Sequence, residues 1–208
     1  MTENRVTEEK TIGELKAEHA SKTARIMVGY LDATERIRQE AQPDEGRYLD
    51  RLSDQERMKL LYEQKSAKAD EAYREAFDAY ATQTEAFRQE HEARVKALSQ
   101  RLFGVANADA AARAATASES ELASMLDYAA LAGNKDLAKA AFVAAHTRGA
   151  GHLVGRYFDE AAPDARDLYQ EYSQRLPQEV LERQGDVGRV VQKPDLDRLM
   201  PPLRAGGA

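Results

Sequence analysis

Between Gly46 and Gly104 the chain runs for 57 consecutive residues, Arg47 to Phe103, without a glycine or a proline. An uninterrupted segment of this kind reads as helix, and at about 1.5 Å rise per residue a single helix there would be roughly 85 Å long. Its side chains support that reading. Tyr73, Tyr80 and Phe87 recur every seven residues, as do Ala72, Ala79, Ala86 and Ala93, and a third row holds Tyr62, Ala69, Ala76 and Ala97. At about 100° per residue the three rows fall within about 100° of arc, one stripe down a long helix. The other faces carry charges of both signs, with Glu71/Glu75 and Glu92/Lys96 at helical spacing. The stripe predicts a helix-pairing interface of Tyr62, Ala69, Ala72, Tyr73, Ala76, Ala79, Tyr80, Ala86 and Phe87. Alanines there permit close approach of a second helix, and the aromatic residues supply buried area. Gln83 and Glu90 interrupt the seam, as polar residues do where register or partner choice is being fixed. Ser53 and Glu56 have capping-box spacing, which marks a break between residues 47–52 and the main rod.

Upstream, a first helix is predicted from Thr11 to about Ala41, with Ile12, Leu15, Ile26, Met27, Tyr30, Leu31 and Ile37 as its apolar residues. His19, Lys22 and Gly29 break its stripe, and a glycine inside a helix costs on the order of 1 kcal/mol relative to alanine. The run Gln42-Pro43-Asp44-Glu45-Gly46 ends it. Sequential elements usually pack together, so the stripe can be covered by this helix as an intramolecular hairpin. A helix of about 30 residues nevertheless spans only about half of the rod at the same rise per residue. The distal end must meet the C-terminal helices or another subunit, which is the basis for expecting a homo-oligomer.

Beyond Gly104 the pattern predicts a small alanine-rich helical unit over 104–184, with helices near 107–116, 119–132, 135–148, 152–161 and 164–176. The Ser118/Glu121 capping box and the Gly133-Asn134 turn set two of these boundaries. Gly133, Ala138, Phe142 and Ala145 resemble the second-helix half of a tetratricopeptide-type repeat. The first helix departs from that family: Leu122, Met125 and Leu126 occupy its Trp, Leu and Gly positions, and Ala129 sits where a Tyr is usual. The resemblance covers about 30 residues of a motif whose period is 34, and it implies a groove that binds a peptide or protein segment. Residues 185–208 carry Gly185, Gly188, Pro194, Pro201, Pro202 and Gly206-Gly207, which predicts an extended or mobile tail. Its Leu196, Leu199, Met200 and Leu203 form a candidate docking segment. The organisation read from the sequence is therefore a polar leader at 1–10, a helical hairpin or rod at 11–103, the unit at 104–184 and the tail at 185–208, all-α throughout.

Charge and composition narrow the function. Charged residues make up 32% of the chain and aromatics 7%, with no tryptophan, the mixture of long helices and coiled coils. A formal net charge of −6, with no strongly basic segment, argues against general nucleic-acid binding, which draws on clustered Lys and Arg. No stretch approaches the roughly 18 apolar residues that a membrane span needs, and the charged residues 1–10 do not read as a secretory signal; the expectation is a cytoplasmic protein. Without cysteine there is no disulfide, thiolate ligand or cysteine nucleophile. The histidines, His19, His91, His146 and His152, lack metal-ligand spacing and read as solvated or capping residues. Gly149 to Gly155 resembles a dinucleotide-binding glycine loop only superficially, because no strand precedes it and its third glycine is one position late. Asp159, Glu160, Asp164 and Asp167 beside Arg156 and Arg166 read as helix caps and surface ion pairs. No catalytic residue, cofactor site or metal site is assigned.

The expected function is a non-enzymatic structural or assembly protein acting through helix–helix association. Its acidic, alanine- and arginine-rich helical makeup resembles in type the phage scaffolding and morphogenesis proteins, which implies association with protein partners. In such proteins a basic C-terminal helix often makes the contact; here Arg189, Lys193, Arg198 and Arg204 alternate with Asp186, Asp195 and Asp197. The alternative is a helical adaptor that binds a peptide or protein segment through residues 119–176.

Overall fold

The structure is a computed structural model that describes residues 9–40 and 53–200. It is all-α, with no strand among the described residues. Two helices dominate: α1, Ile12–Gln39, and α2, Asp54–Phe103. The Ser53 hydroxyl and Glu56 carboxylate form the capping box at the start of α2, with the Ser53 amide donating to Glu56 Oε2 at 2.8 Å. The helix thus begins at the break the spacing predicts, and residues 47–52 lie outside the described residues. Shorter elements follow: α3, Ala108–Thr116; α4, Glu119–Ala132; α5, Lys135–Thr147; and α6, Gly151–Arg156. A π-helical turn, Tyr157–Ala161, and a 3₁₀ turn, Pro163–Ala165, then lead into α7, Arg166–Ser173. The last three are α8, Gln178–Gly185, α9, Val187–Val190, and α10, Leu196–Leu199.

The described residues form two compact units, one lying within 15–89 and 176–200, the other within 9–14 and 90–175.

In the first unit α1 and α2 pair antiparallel. Leu15 meets Phe87, Tyr30 packs with Ala76 and Tyr80, and Ile37 packs with Ala69. The C-terminal segment lies against both helices and runs in the direction of α1. Leu181 joins Leu15 and Phe87, Val187 and Val191 join Tyr30, Ala76 and Tyr80, and Leu199 and Leu196 join Ile37 and Ala69. This overturns the expectation of an extended or mobile tail as far as Met200. Its glycines and prolines separate short helices, each seated by apolar residues.

In the second unit α3, α4, α5, α6 and the π-helical turn enclose an alanine-rich core around Phe142. The Phe142 ring stacks on Tyr157 at 4.4 Å and on Phe103 at 5.7 Å. Gly133 closes α4 in the left-handed region, φ 62°, and the Asn134 side chain accepts from the Leu137 amide to open α5. The Arg94 guanidinium makes a two-pronged contact with Glu171, 2.8 Å on each arm, and Glu171 also accepts the Ile12 amide. That guanidinium holds the Glu171 carboxyl below its ordinary range.

Several helix C-termini are closed by a cation from elsewhere in the same unit. Lys65 donates to the carbonyls of Arg38 at the end of α1 and Leu199 at the end of α10, at 3.0 and 2.8 Å. Lys139 donates to the Arg101 carbonyl near the end of α2 at 2.8 Å, and Arg148 spans the carbonyls of Ala114, Ala115 and Ala117 at the end of α3. Each satisfies terminal carbonyls that no helix can pair internally, at the end where a positive charge is favoured.

Candidate interaction surface

The buried face of α2 follows an eleven-residue period rather than a seven-residue one. Lys65, Ala76, Phe87 and Leu98 form one buried row, and Ala69, Tyr80, His91 and Leu102 form a second. In α1 the matching rows are Leu15, Ile26 and Ile37, and His19 and Tyr30, with only Ile26 less than fully buried. Eleven residues in three turns is 3.67 per turn, close to the helix's own 3.6, whereas seven in two turns is 3.5 and requires left-handed supercoiling. The heptad rows therefore drift off the buried face. Of the residues assigned to the helix-pairing interface, Ala69, Ala76, Tyr80 and Phe87 are buried, and Ala72 and Tyr73 are partly buried. Tyr62, Ala79 and Ala86 are exposed, as is Ala93 from the same row. Within this chain they face solvent and take no part in the pairing of α1 with α2.

The same period explains two anomalies in the sequence. His19 occupies a seam position, buried and stacked on Phe87 with ring centroids 4.4 Å apart and planes 13° from parallel. Lys22 and Gly29 do not interrupt the seam, because both lie on the exposed side. His91 is buried as well, and His146 is half-buried against Phe103 with its Nδ1 3.1 Å from the Tyr169 hydroxyl. Only His152 is exposed, so the solvated or capping role expected of the four histidines is corrected for the other three. Burial lowers the affinity of His19 and His146 for a proton, and for His146 the nearby Arg175 adds to the effect. The Nδ1 of His19 and the Oγ1 of Thr84, both buried, have no hydrogen-bond partner among the described residues.

The candidate docking segment at the C-terminus is placed on its own unit. Leu199 is buried and Leu196 is partly buried against the Ile37–Ala69 cluster, Met200 is half-buried, and Leu203 lies outside the described residues.

The carboxylate-rich stretch before α7 resolves into ion pairs: Arg166 with Asp159, and Arg156 with Asp127 and Glu160. Gly149, at φ 74°, sits in the turn between α5 and α6, so helices rather than a strand flank that glycine run. Among the described residues no group of three or more His, Asp or Glu side chains is arranged to hold a metal ion, and no helix is long and apolar enough to cross a membrane.

The second unit leaves two large apolar side chains on its surface. On α4, Tyr128 is 63% exposed and Leu131 is 90% exposed, one turn apart, although Leu122, Leu126 and Ala129 of the same helix are buried. Beside Tyr128 lies a groove of about 690 Å³ between α3, α4 and α5, with Met125 and Leu137 as apolar walls and Arg113 and Glu121 at its polar edge. Glu121 is already engaged by the Ser118 amide and hydroxyl, which hold its carboxyl below the ordinary range. The sequence reading missed this surface because Tyr128 and Leu131 share a helix with core residues, and in an alanine-rich helix the outward face carries no composition of its own. The available signal was the spacing: 122, 126 and 129 mark the inward face, which leaves 128 and 131 outside it. No family model, no curated protein and no solved structure matches the chain.

Proposed function

We propose that this chain is a non-enzymatic interaction protein whose contact surface is α4 with the adjoining groove between α3, α4 and α5. The observation that carries this reading is the exposure of Tyr128 and Leu131 on a helix whose opposite face already completes a core. Large apolar side chains left together beside a groove mark a protein contact. Partner proteins, rather than small molecules, suit a groove that is open, continuous with an exposed helix face and lined by both apolar and charged groups. In this reading the α1–α2 hairpin is a framework.

The test compares the wild-type chain with the double variant Tyr128→Ser/Leu131→Ser. Both positions are solvent-facing, so the thermal midpoint should hold, and proteins captured from the source cell by the wild type should be lost. Identical capture by the two chains would sink the proposal.

A second reading, a structural or assembly protein acting through self-association and scaffold-like in type, is favoured by a different observation. Val28 and Leu31 stand one turn apart on the outer face of α1, 57% and 60% exposed. Replacing both with Ser should shift sedimentation of the chain toward monomer. A wild-type chain that sediments as a monomer across micromolar concentrations removes this second reading.

A further inference from the structure

The segment that fills the α1–α2 groove is held in the manner of a bound peptide. Its apolar anchors, Leu181, Val187, Val191 and Leu199, are all buried, and Val191 is completely so. Two polar contacts reach its main chain and one a side chain: the Tyr30 hydroxyl donates to the Gln192 carbonyl at 2.7 Å, Lys65 donates to the Leu199 carbonyl at 2.8 Å, and Lys193 pairs with Asp70 at 2.6 Å. Helices α9 and α10 have four residues each. A helix that short does not persist alone, because forming the first turn fixes several residues for one hydrogen bond. Docking and folding of this strap are therefore one event. The strap follows Pro177, which is extended at φ −59° and ψ 148°, and the boundary between the two compact units falls two residues earlier, after Arg175.

The groove consequently reads spaced apolar side chains, two carbonyls and one lysine, and none of these contacts depends on the strap belonging to the same chain. The ligand known to fit is residues 178–199, and every other copy of the protein carries it. We propose that the groove also takes the strap of a second copy, so that two copies exchange C-terminal segments and close as a reciprocal pair. Exchange of an identical element makes in trans the contacts already made in cis, which is why it builds a dimer at low cost. The tethered strap has the advantage of a high effective concentration, commonly millimolar for a short connection, so exchange is populated at high protein concentration.

The chain lacks cysteine, so introduced thiols report the pairing without background from native ones. Ala76 and Val191 share one apolar cluster. An equimolar mixture of Ala76→Cys and Val191→Cys chains carrying tags of different length is refolded at rising concentration and oxidised. The expected product is a mixed disulfide of one chain of each kind, exceeding the amount of Val191→Cys self-pairs and growing with concentration. Wild type refolded the same way should show a doubling of its 23.1 kDa mass in sedimentation. Mixed disulfide no more abundant than self-pairs, while an Ala76→Cys/Val191→Cys double variant closes within one chain, overturns the proposal. So does a wild-type chain that sediments only as monomer after refolding, whatever the thiols do. Loss of the α4 surface leaves these outcomes unchanged, which separates this inference from the proposed function.

Discussion

Replacing single alanines of α2 by leucine discriminates between an eleven-residue and a seven-residue seam. Ala76 is 6% exposed and packs with Tyr30, Tyr80, Val187 and Val191, whereas Ala79 is exposed although it belongs to the heptad row. Leucine adds three carbon atoms. At Ala76 these enter a buried apolar cluster, and overpacking of this kind costs about 1–3 kcal/mol. At Ala79 the added atoms meet water, leucine is nearly as good a helix former as alanine, and the change stays within about 0.5 kcal/mol. For a chain of this length each kcal/mol moves the thermal midpoint by roughly 2–4 °C. Ala76→Leu should thus lower it by roughly 2–12 °C, and Ala79→Leu should barely move it. Ala69→Leu, at 0% exposure, and the exposed Ala86→Leu give a second independent pair. The assay is far-ultraviolet circular dichroism against temperature, with urea titration as a check. Equal destabilisation by Ala76→Leu and Ala79→Leu would refute the eleven-residue assignment and restore the heptad.

Other perturbations follow from particular contacts. Burial holds the His19 imidazole below its ordinary value of 6.5, so its contribution to stability is fully present above that pH and is lost as pH falls from there through the depressed folded value. The difference in urea midpoint between wild type and His19→Phe, measured from pH 7.5 to 5, should shift steadily in favour of the variant, and a flat difference would contradict this. Glu171 is depressed from 4.5, chiefly by its hydrogen bonds with Arg94. Its contribution is full above 4.5 and is lost as pH falls through the folded value. Arg94→Met leaves that carboxylate, 11% exposed, without its cation and should cost about 3 kcal/mol at neutral pH, less below pH 4; chemical denaturation at the two pH values decides. Gly133→Ala places a side chain at φ 62° with no neighbour within 4 Å, so backbone strain alone should cost about 1 kcal/mol, read as a small drop in thermal midpoint.

The helix boundaries were legible because they rest on local chemistry. Ser53 with Glu56, Ser118 with Glu121, and Gly133-Asn134 each announce a helix end through side chains a few residues apart, and each stands where the spacing puts it. The buried face of α2 was not legible, because alanine occurs on both sides of the helix. Ala76 is buried and Ala79 is exposed, and nothing in either residue type tells them apart. The longer period runs through Lys65, Ala76, Phe87 and Leu98 and through Ala69, Tyr80, His91 and Leu102, and the lysine and histidine in those rows do not look like seam residues. The strap escaped for another reason: its anchors are single apolar residues between glycines and prolines, and what fixes them in α2 lies more than ninety positions away. On α4 the exposed pair was hidden in plain composition, since Tyr128 and Leu131 look like core until the helix is turned toward Phe142.

The cations that close helix ends have a consequence for how the protein opens. A helix terminus is ordinarily where fraying begins, because its last carbonyls bond only to water. Lys65, Lys139 and Arg148 anchor the last turns of α1, α2 and α3 to side chains rooted elsewhere in the same unit. Unwinding one of those turns therefore strands a charge on another element. Within each unit the amides that close those turns should exchange with solvent on the timescale of the packed core, and the hairpin and the small unit should each lose their helix ends together rather than one turn at a time.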